Sequence, residues 1–248
     1  MMIPTKYFGI DIILDPRTVN YGGSFTKDLE PNSKDVIELA INELVKIHSP
    51  TLIDVGACTG SYALLPLLIK TLSVHSFEPS KAFEVLDLNI KTNGVPNVIL
   101  NKLAVSNFNG ESTFNEVISD NDSCIALSML GGLPAWHKKT KQFIVDVINL
   151  DDYCKNIKVD FIKIDVEGNE LNVVLGAIKT ITRDKPIVMF EYSLENTNQY
   201  GYNPSKIIDL LDGIGYTSNI INNDVISKPK KNSGNLQPKS TSKIYKRL

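Results

Sequence analysis

The sequence has few cysteines and no long apolar run, and each absence excludes a class of protein. Its three cysteines, Cys58, Cys124 and Cys154, are far apart and odd in number, so they fit neither a disulfide framework nor a zinc-binding pattern. No window approaches the ~18 apolar residues of a membrane span. The N-terminal stretch MMIPTKYFGIDIILDP lacks the apolar core of a signal peptide. We therefore expect a cytoplasmic protein without a membrane span.

The chain also lacks a strong net charge, although its charge is unevenly distributed. The formal net charge is -2, which by itself indicates no polyanionic partner. Residues 225–248 carry seven basic residues and no acid, and we expect the segment KPKKNSGNLQPK to be a solvated loop. Contact with an anionic substrate or RNA is the alternative for this tail. The acidic body and the absence of a zinc finger or an aromatic RNA-binding pattern argue against general nucleic-acid binding.

Apolar strands alternate with helical segments from residue 51 onward, which predicts a fold class. The alternation is typical of an α/β protein with a doubly wound, mostly parallel sheet covered by helices on both faces. Late strands near TSNII and SKIYK, with no helix between them, predict an antiparallel hairpin at the C-terminal edge. The segment SYALLPLLIKTL is expected to be helical despite Pro66. We predict an N-terminal extension over residues 1–50, irregular up to about residue 30 and then helical, and a main domain over residues 51–248.

In such a sheet a ligand binds beyond the carboxyl ends of the strands. The first strand ends in DVGACTGS, where Gly56 and Gly60 let the backbone approach a ligand and the next helix offers free N–H groups. Asp54 stands where a dinucleotide-binding G-x-G-x-x-G would have its first glycine, and its charge would repel a pyrophosphate. It suits S-adenosylmethionine, which carries an ammonium and a sulfonium but no phosphate. Glu78 ends the second strand and can accept hydrogen bonds from ribose hydroxyls.

The segment FIKIDVEGNE closes a later strand with a cluster of acids. Strand alternation places Lys163 and Asp165 on one face, with Asp165 at the carboxyl edge. Glu167 follows in the turn, and Glu191 ends the next strand. Three roles stay open for these acids: a general base for a hydroxyl nucleophile, a site for a divalent cation such as magnesium, or capping of loops and helices. Glu170 is expected to be structural.

Residues 119–140 form the longest stretch without clear periodicity after residue 50. They hold the only tryptophan, Trp136, beside His137. Aromatic rings stack on sugars and loops carry specificity, so this stretch predicts a substrate lid with a hinge at Gly131–Gly132. His137 has a side chain that titrates near pH ~6.5 and can act as a base. A surface loop with an incidental Trp–His pair is the alternative.

Several of these segments together resemble the FkbM family of S-adenosylmethionine-dependent methyltransferases. They are FIKIDVEGNELNVVLGA, LIDVGACTG, SFEPS and VINLDDY, within residues 51 to 192. The resemblance implies a class I methyltransferase fold and O-methylation, often of sugars or glycosylated natural products. Cys58 departs from the family, which often has asparagine there. With the neighbouring strand-end residues, the expected cofactor contacts are Asp54, Gly56, Ala57, Gly60, Ser61, Glu78, Pro79, Ala104 and Asp165.

We therefore predict an O-methyltransferase that acts on a hydroxyl of a sugar, a glycan or a glycosylated small molecule. Asp165, Glu191 or His137 would take the hydroxyl proton, and Asp165, Glu167 and Glu191 are the residues that would hold a cation. An RNA or N-methyltransferase with the same fold is one alternative, and a non-catalytic binding module is another. A nicotinamide dehydrogenase is disfavoured by Asp54.

Overall fold

The computed structural model describes residues 2–21, 24–117, 129–131 and 140–230. Its strands are β1 (Ile3–Tyr7), β2 (Ile10–Leu14), β3 (Thr51–Val55), β4 (Ser73–Phe77), β5 (Val98–Asn101), β6 (Ala104–Val105), β7 (Gly110–Val117), β8 (Met129–Leu130), β9 (Thr140–Ile148), β10 (Phe161–Ile164), β11 (Ile187–Glu191), β12 (Tyr216–Ile221) and β13 (Asp224–Pro229). Its α-helices are α1 (Arg17–Asn20), α2 (Lys34–Leu44), α3 (Ala82–Thr92), α4 (Leu150–Tyr153), α5 (Glu170–Gly176), α6 (Ile178–Asp184), α7 (Leu194–Asn198) and α8 (Ser205–Gly213).

The main sheet has seven strands in the order β12-β13-β11-β10-β3-β4-β5. The five strands from β11 to β5 are parallel to their neighbours, and β13 lies antiparallel between β11 and β12. The direction of the winding reverses between β3 and β10. Such a switch point opens a crevice at the carboxyl ends of the strands. The predicted doubly wound, mostly parallel sheet is confirmed.

Apolar side chains cover both faces of this sheet. Leu52 and Phe161 belong to the core shared with α2 and the N-terminal strands, whereas Ile53 and Ile162 belong to the core shared with α5, α6 and α8. Successive residues of a strand point to opposite faces, so neighbouring apolar residues pack into different cores. This explains why the strands read as continuous apolar runs rather than as alternating patterns.

The predicted C-terminal hairpin is present, but its second strand differs from the prediction. TSNII lies in β12 as expected, while its partner is β13, which begins at Asp224. The segment SKIYK, at 242–246, lies outside the described residues. Lys228, expected in a solvated loop, lies in β13, and its Nζ is 3.0 Å from Oε1 of Glu43.

The prediction that the N-terminal 30 residues are irregular is wrong for residues 3–14. β1 and β2 pair antiparallel across a two-residue turn at Phe8 and Gly9, both with positive φ. Tyr7 and Leu14 are fully buried in the same core as Leu52 of the main sheet. The division into an extension over residues 1–50 and a main domain over residues 51–248 stays a prediction, but β1, β2 and α2 share a core with the sheet.

The prediction of a helix over SYALLPLLIKTL is also wrong. Only a short 3-10 helix, Leu65–Leu67, forms there among turns. Pro66 lacks an N–H and disfavours the helical conformation of the residue before it, which restricts a longer helix. The helix expected over GNELNVVLGAIKTI is divided at Ala177 into α5 and α6.

A second, four-stranded sheet of order β6-β9-β7-β8 stands beside the first. The strand expected over NVILNKLAV divides, with β5 in the main sheet and β6 in the second. The expected lid lies between β7 and β9, and residues 119–128 and 132–139, with Trp136, His137 and Gly132, fall outside the described residues. Within the described ranges, no helix has the length and apolar character to cross a membrane.

Candidate cofactor and acceptor site

A pocket opens over the carboxyl ends of β3, β4 and β10, at the switch point of the sheet. It holds about 980 Å³ of empty space, counted out to its open mouth. Gly56 after β3, Glu78 after β4 and Asp165 after β10 line it, as the parallel strand arrangement predicts. Sites at this position in a parallel sheet commonly bind small molecules and cofactors.

The glycine loop, residues 56–60, forms the turn after β3, and its amide groups are all used inside the protein. The sequence predicts free N–H groups at a helix after this loop, but only the short 3-10 helix Leu65–Leu67 forms there. Within residues 56–60 themselves, no N–H group is left free. A phosphate site needs such donors, so the loop suits a ligand without a phosphate. The five N–H donors pair as follows: Gly56 and Ala57 with the Phe77 carbonyl, Cys58 with Oε2 of Glu78, Thr59 with Oγ of Ser24, and Gly60 with the Ala57 carbonyl.

Gly56 lies where β3 and β10 separate, and only a glycine fits there. Its φ is +78°, and a Cβ atom at this position would lie 1.7 Å from the carbonyl oxygen of Asp165. Glycine adopts this backbone conformation without a steric penalty. The close approach of the two chains brings the glycine loop and Asp165 to the same pocket wall.

Asp54 lies beneath the pocket, where Lys163 is its partner. Asp54 is completely buried, and Lys163 lines the pocket above it. Nζ of Lys163 lies 3.5 Å from Oδ1 of Asp54 and 3.7 Å from Oδ2 of Asp165, and it donates a 2.7 Å hydrogen bond to the Gly56 carbonyl. Burial raises the pKa of Asp54, an effect that the Lys163 ammonium opposes. The cation nearest to Asp54 is thus supplied by the protein, and a direct contact of Asp54 with the cofactor stays a prediction.

Glu78 projects from the end of β4 and holds two stretches of backbone. Its Oε1 accepts from the N–H of Ser80 and its Oε2 from the N–H of Cys58, each at 2.9 Å. Burial raises the pKa of this carboxyl, and these hydrogen bonds oppose the rise. A carboxylate oxygen has two lone pairs, so each oxygen can accept one further hydrogen bond from a ligand diol. The neighbouring Pro79 also lines the pocket.

An apolar wall closes the other side of Glu78. Ala104, predicted from its position after the third strand, lines the pocket. Phe114 and Leu130, from β7 and β8 of the second sheet, extend this wall. The sequence did not indicate these two residues because they come from a sheet whose pairing joins distant segments. Apolar side chains of this kind suit an aromatic base.

The opposite end of the pocket is acidic, and the structure brings the three predicted acids together. Carboxylate oxygens of Asp165, Glu167 and Glu191 all lie within 4.8 Å of one another. Nδ2 of Asn196 donates to Oε2 of Glu167 at 2.7 Å and to Oε2 of Glu191 at 3.2 Å. Burial, followed by the charge of Asp165, raises the pKa of Glu191 to about 8. Burial, followed by the charge of Glu191, raises the pKa of Glu167 well above its usual range.

Sequence reasoning missed a fourth acid, Asp224, which also lines the pocket. It begins β13, where its backbone stands opposite Glu191 of β11. Burial, and then the Asp165 charge, raise the pKa of Asp224 to about 6. Glu170, in contrast, has the expected structural role, because its Oε1 accepts from the N–H groups of Val166 (3.1 Å) and Gly168 (3.0 Å).

The N-terminal extension also contributes to the pocket, which the sequence did not indicate. Ser24, Asn32 and Ser33 line it. Ser33 precedes α2 with a φ of +51°, a conformation uncommon outside glycine. The turn signals in this segment marked a change of direction but gave no indication of where the segment packs.

The sequence matches the methyltransferase FkbM domain over residues 54–218, more than half of the chain. The chain belongs to this family. The FkbM resemblance is confirmed, and membership in this family of methyltransferases implies the use of S-adenosylmethionine. The pocket fits that molecule, because the glycine loop offers no donors to a phosphate, Glu78 has lone pairs for a diol, and an apolar wall stands beside it.

Solved structures also resemble this FkbM domain. The methyltransferase FkbM from Methylobacillus flagellatus KT has 18% sequence identity and a TM-score of 0.50, with 73% of this chain and 44% of that chain covered. The chain thus spans less than half the length of that protein. This likeness supports the class I methyltransferase fold. The precorrin-6y C5,15-methyltransferase from Geobacter metallireducens GS-15 has 14% identity and a TM-score of 0.48, covering 84% of this chain and 93% of that one. No curated protein matches the sequence.

Proposed function

We propose that this FkbM-family chain transfers a methyl group from S-adenosylmethionine to a hydroxyl of a sugar, a glycan or a glycosylated small molecule. The observation that carries the proposal is that one pocket has an apolar end and an acidic end. Glu78 and an apolar wall stand at one end, and Asp165, Glu167 and Asp224 stand at the other. The first end suits a nucleoside, and the second suits a hydroxyl that must lose a proton.

The cofactor supplies an electrophilic methyl group on a sulfonium. The chain would supply orientation, since holding two reactants in line accounts for much of the rate of such reactions. Asp165 is the best candidate for the proton acceptor. Its side chain is 46% exposed at the pocket, and its Oδ2 lies 3.7 Å from the Lys163 ammonium. His137 stays a prediction outside the described residues.

Glu191 is better suited to holding a proton than to removing one at neutral pH. Its pKa of about 8 keeps the carboxyl mostly protonated at pH 7. Unlike Asp165, Glu167 and Asp224, it is not one of the described residues that line the pocket, and Asn196 joins it to Glu167. We therefore assign to Glu191 the orientation of the acidic end through Asn196 rather than direct contact with the acceptor.

The acidic end also favours one class of acceptor. A cluster of carboxylates attracts a cationic molecule, admits an uncharged one and repels a polyanion. The acidic end therefore supports a neutral carbohydrate over RNA. The basic residues after Asp224 are the feature that favours RNA. A methyltransferase-fold binding module without catalysis is the remaining alternative, and it would require the pocket acids to have no chemical role.

The acidic end also offers oxygen ligands for a divalent cation. Magnesium takes oxygen ligands at about 2.0–2.1 Å and is commonly bound through one or two carboxylates. Asp165, Glu167 and Glu191, whose carboxylate oxygens all lie within 4.8 Å of one another, are the candidates to hold such a cation. If the cation is used, turnover is lost in a chelator and restored by magnesium. If turnover persists in the chelator, the acids act as protein groups alone.

The test begins with calorimetric titration of the full chain with S-adenosylhomocysteine, with NADH as the control ligand. We expect micromolar binding of the first and none of the second. Release of S-adenosylhomocysteine from S-adenosylmethionine is then followed against neutral glycosides, phosphorylated sugars and RNA oligonucleotides. Turnover with a neutral glycoside that falls at least a hundredfold in Asp165→Asn, with cofactor binding kept, supports the proposal. Turnover with RNA alone would overturn the acceptor class, and binding without turnover on any acceptor would favour the binding module.

A further inference from the structure

We propose that residues 15–21 and 24–33 of the N-terminal extension are part of the cofactor-binding machinery, and that Ser24 is the residue that positions the glycine loop. This segment lies entirely before residue 54, where the match to the FkbM domain begins. The inference rests on the proposed cofactor site, because it assigns a role toward a ligand held by that loop. Ser24 would position the loop and would not itself react.

Ser24 reaches the centre of the glycine loop. Its side chain is almost completely buried, with 2% exposure. Oγ accepts a hydrogen bond from the N–H of Thr59 at 3.1 Å and from the N–H of Gly60 at 3.2 Å. The hydroxyl also points to the Ala57 carbonyl at 3.5 Å. One hydroxyl thus contacts three residues of a loop that lies more than thirty residues away in the chain.

Asn89 of α3 holds the other side of the same loop. Its Nδ2 donates to the Thr59 carbonyl and to Oγ1 of Thr18, each at 3.0 Å. Its Oδ1 accepts from the N–H of Asp15 at 2.8 Å. Asn89 is completely buried. Thr59 is therefore fixed at its N–H by Ser24 and at its carbonyl by a helix that is itself tied to residues 15 and 18.

The glycine loop needs this support because its backbone is unfavourable. Cys58 has a φ of +49° and Gly60 a φ of +108°. A non-glycine residue in the left-handed region costs of order 1 to 3 kcal/mol and persists only where surrounding contacts hold it. Cys58 also lines the pocket and donates its N–H to Glu78. A shift of Thr59 would consequently move both a pocket wall and the carboxylate expected to bind the ribose.

The extension does more than hold the loop from behind. Ser24, Asn32 and Ser33 line the pocket themselves, on the side of the glycine loop. The segment does bury apolar groups, Tyr21 and Phe25, but packing alone would leave the pocket wall to the strand ends. The polar groups here are placed at the loop and at the ligand space, so loss of the Ser24 hydroxyl should weaken cofactor binding more than it weakens the fold.

The test compares Ser24→Ala with Ser227→Ala in the full-length chain. Ser227 is a completely buried serine of the edge hairpin, and its hydroxyl hydrogen-bonds that of Ser218 at 2.7 Å, so the control also breaks a buried hydroxyl contact. We measure the dissociation constant for S-adenosylhomocysteine and the hydrogen exchange of the Thr59 amide in the free protein. For Ser24→Ala we expect a dissociation constant about tenfold higher and Thr59 exchange about tenfold faster. For Ser227→Ala both should stay within twofold of the unsubstituted chain, whatever its melting temperature.

Each outcome decides between the alternatives. A dissociation constant for Ser24→Ala within twofold of the unsubstituted chain would overturn the positioning role. If the unsubstituted chain does not bind S-adenosylhomocysteine, the proposed cofactor use fails, while Thr59 exchange still tests the contact, because unchanged exchange overturns it. If Ser24→Ala does not fold, Ser24→Cys takes its place, since a thiol keeps the shape of the side chain and is a weaker acceptor. We expect Ser24→Cys to lose three- to tenfold in affinity, and no loss would again overturn the inference.

Discussion

Lys163 and Asp54 form a buried ion pair beneath the cofactor pocket, with Nζ 3.5 Å from Oδ1. The parallel pairing of β10 with β3 places the two residues directly opposite each other. Among the described residues, no hydrogen bond reaches that oxygen of Asp54. The lysine therefore provides its main electrostatic compensation, and it also donates to the Gly56 carbonyl.

We predict that Lys163→Met strongly destabilises the protein. Removing one partner of a buried ion pair leaves an uncompensated charge and costs about 3–5 kcal/mol. The control is Lys91→Met, which breaks an exposed pair with Asp87 and should cost no more than about 1 kcal/mol. The measurement is the free energy of unfolding in urea.

The double variant Lys163→Met/Asp54→Asn separates the pair from the packing of the lysine stem. If the pair carries the effect, the double variant is more stable than Lys163→Met alone, because it no longer buries a bare carboxylate. A double variant as unstable as the sum of the two single variants would show that the pair contributes nothing.

Gly56 permits a second, stereochemical prediction. Gly56→Ala places a Cβ 1.7 Å from the Asp165 carbonyl, a contact that neither backbone can relieve without separating β3 from β10. Gly94→Ala is the matched control, because Gly94 also has a positive φ, +57°, but no atom lies within 4 Å of the position that a Cβ would take there. We expect Gly94→Ala to cost about 1–2 kcal/mol.

Gly56→Ala should cost at least about 2 kcal/mol more than the control and abolish S-adenosylhomocysteine binding. Thermal unfolding and calorimetric titration measure the two effects. Equal stability of the two alanine variants would contradict the steric explanation.

The sequence predicts the elements whose signal is local and misses those that depend on distant pairing. Apolar runs followed by glycine or acidic residues located β3, β4, β10 and β11 and so placed Gly56, Glu78 and Asp165 at one sheet edge. The hairpin of β1 and β2 also had a local signal in IPTKY-FG-IDIIL, where Gly9 follows Phe8 in a two-residue turn. Pro4 weakens that signal, because proline cannot donate a hydrogen bond to a neighbouring strand.

Asp224 and Ser24 could not be found in the same way. Asp224 reaches the pocket only because β13 pairs with β11 and sets it opposite Glu191. Nothing in the spacing of INND between two strands gives that register. Ser24 reaches Thr59 through a path of chain that no periodicity describes. Tertiary pairing, rather than local propensity, determines both positions.

A third prediction concerns the stability of the protein as a function of pH. The pKa of Glu191 is raised to about 8, above the ordinary value of 4.5. The folded chain therefore holds a proton that the unfolded chain releases between these values, so stability falls as the pH rises from about 5 to 8. Glu191→Gln removes this loss while keeping the side-chain shape.

We expect Glu191→Gln to gain stability relative to the unsubstituted chain between pH 5 and pH 8.5. Each pKa unit corresponds to about 1.4 kcal/mol, and we expect a relative gain of at least that size. Melting temperatures at the two pH values measure it. The control is Glu195→Gln on an exposed position of α7. A gain that is equal at both pH values, or equal in the control, would rule out the buried proton.

The last prediction concerns Glu78 and the ribose. Both oxygens of Glu78 accept a backbone N–H, from Ser80 and Cys58, at 2.9 Å. Glu78→Gln keeps the size of the side chain but turns one acceptor into a donor that faces an N–H. We expect the dissociation constant for S-adenosylhomocysteine to rise by about ten- to a hundredfold, because a buried donor loses its partner and a diol loses its acceptor. Glu84→Gln, on the exposed face of α3, should leave it unchanged.

Competition with adenosine and 2′-deoxyadenosine distinguishes a ribose contact from a displaced glycine loop. If Glu78 binds the diol, the unsubstituted chain prefers adenosine and Glu78→Gln loses that preference. A variant that binds both nucleosides more weakly, in the same ratio as the unsubstituted chain, would show that Glu78 acts only through the backbone of Cys58 and Ser80. In that case the carboxylate holds the walls of the pocket, and the ribose must be recognised by other groups.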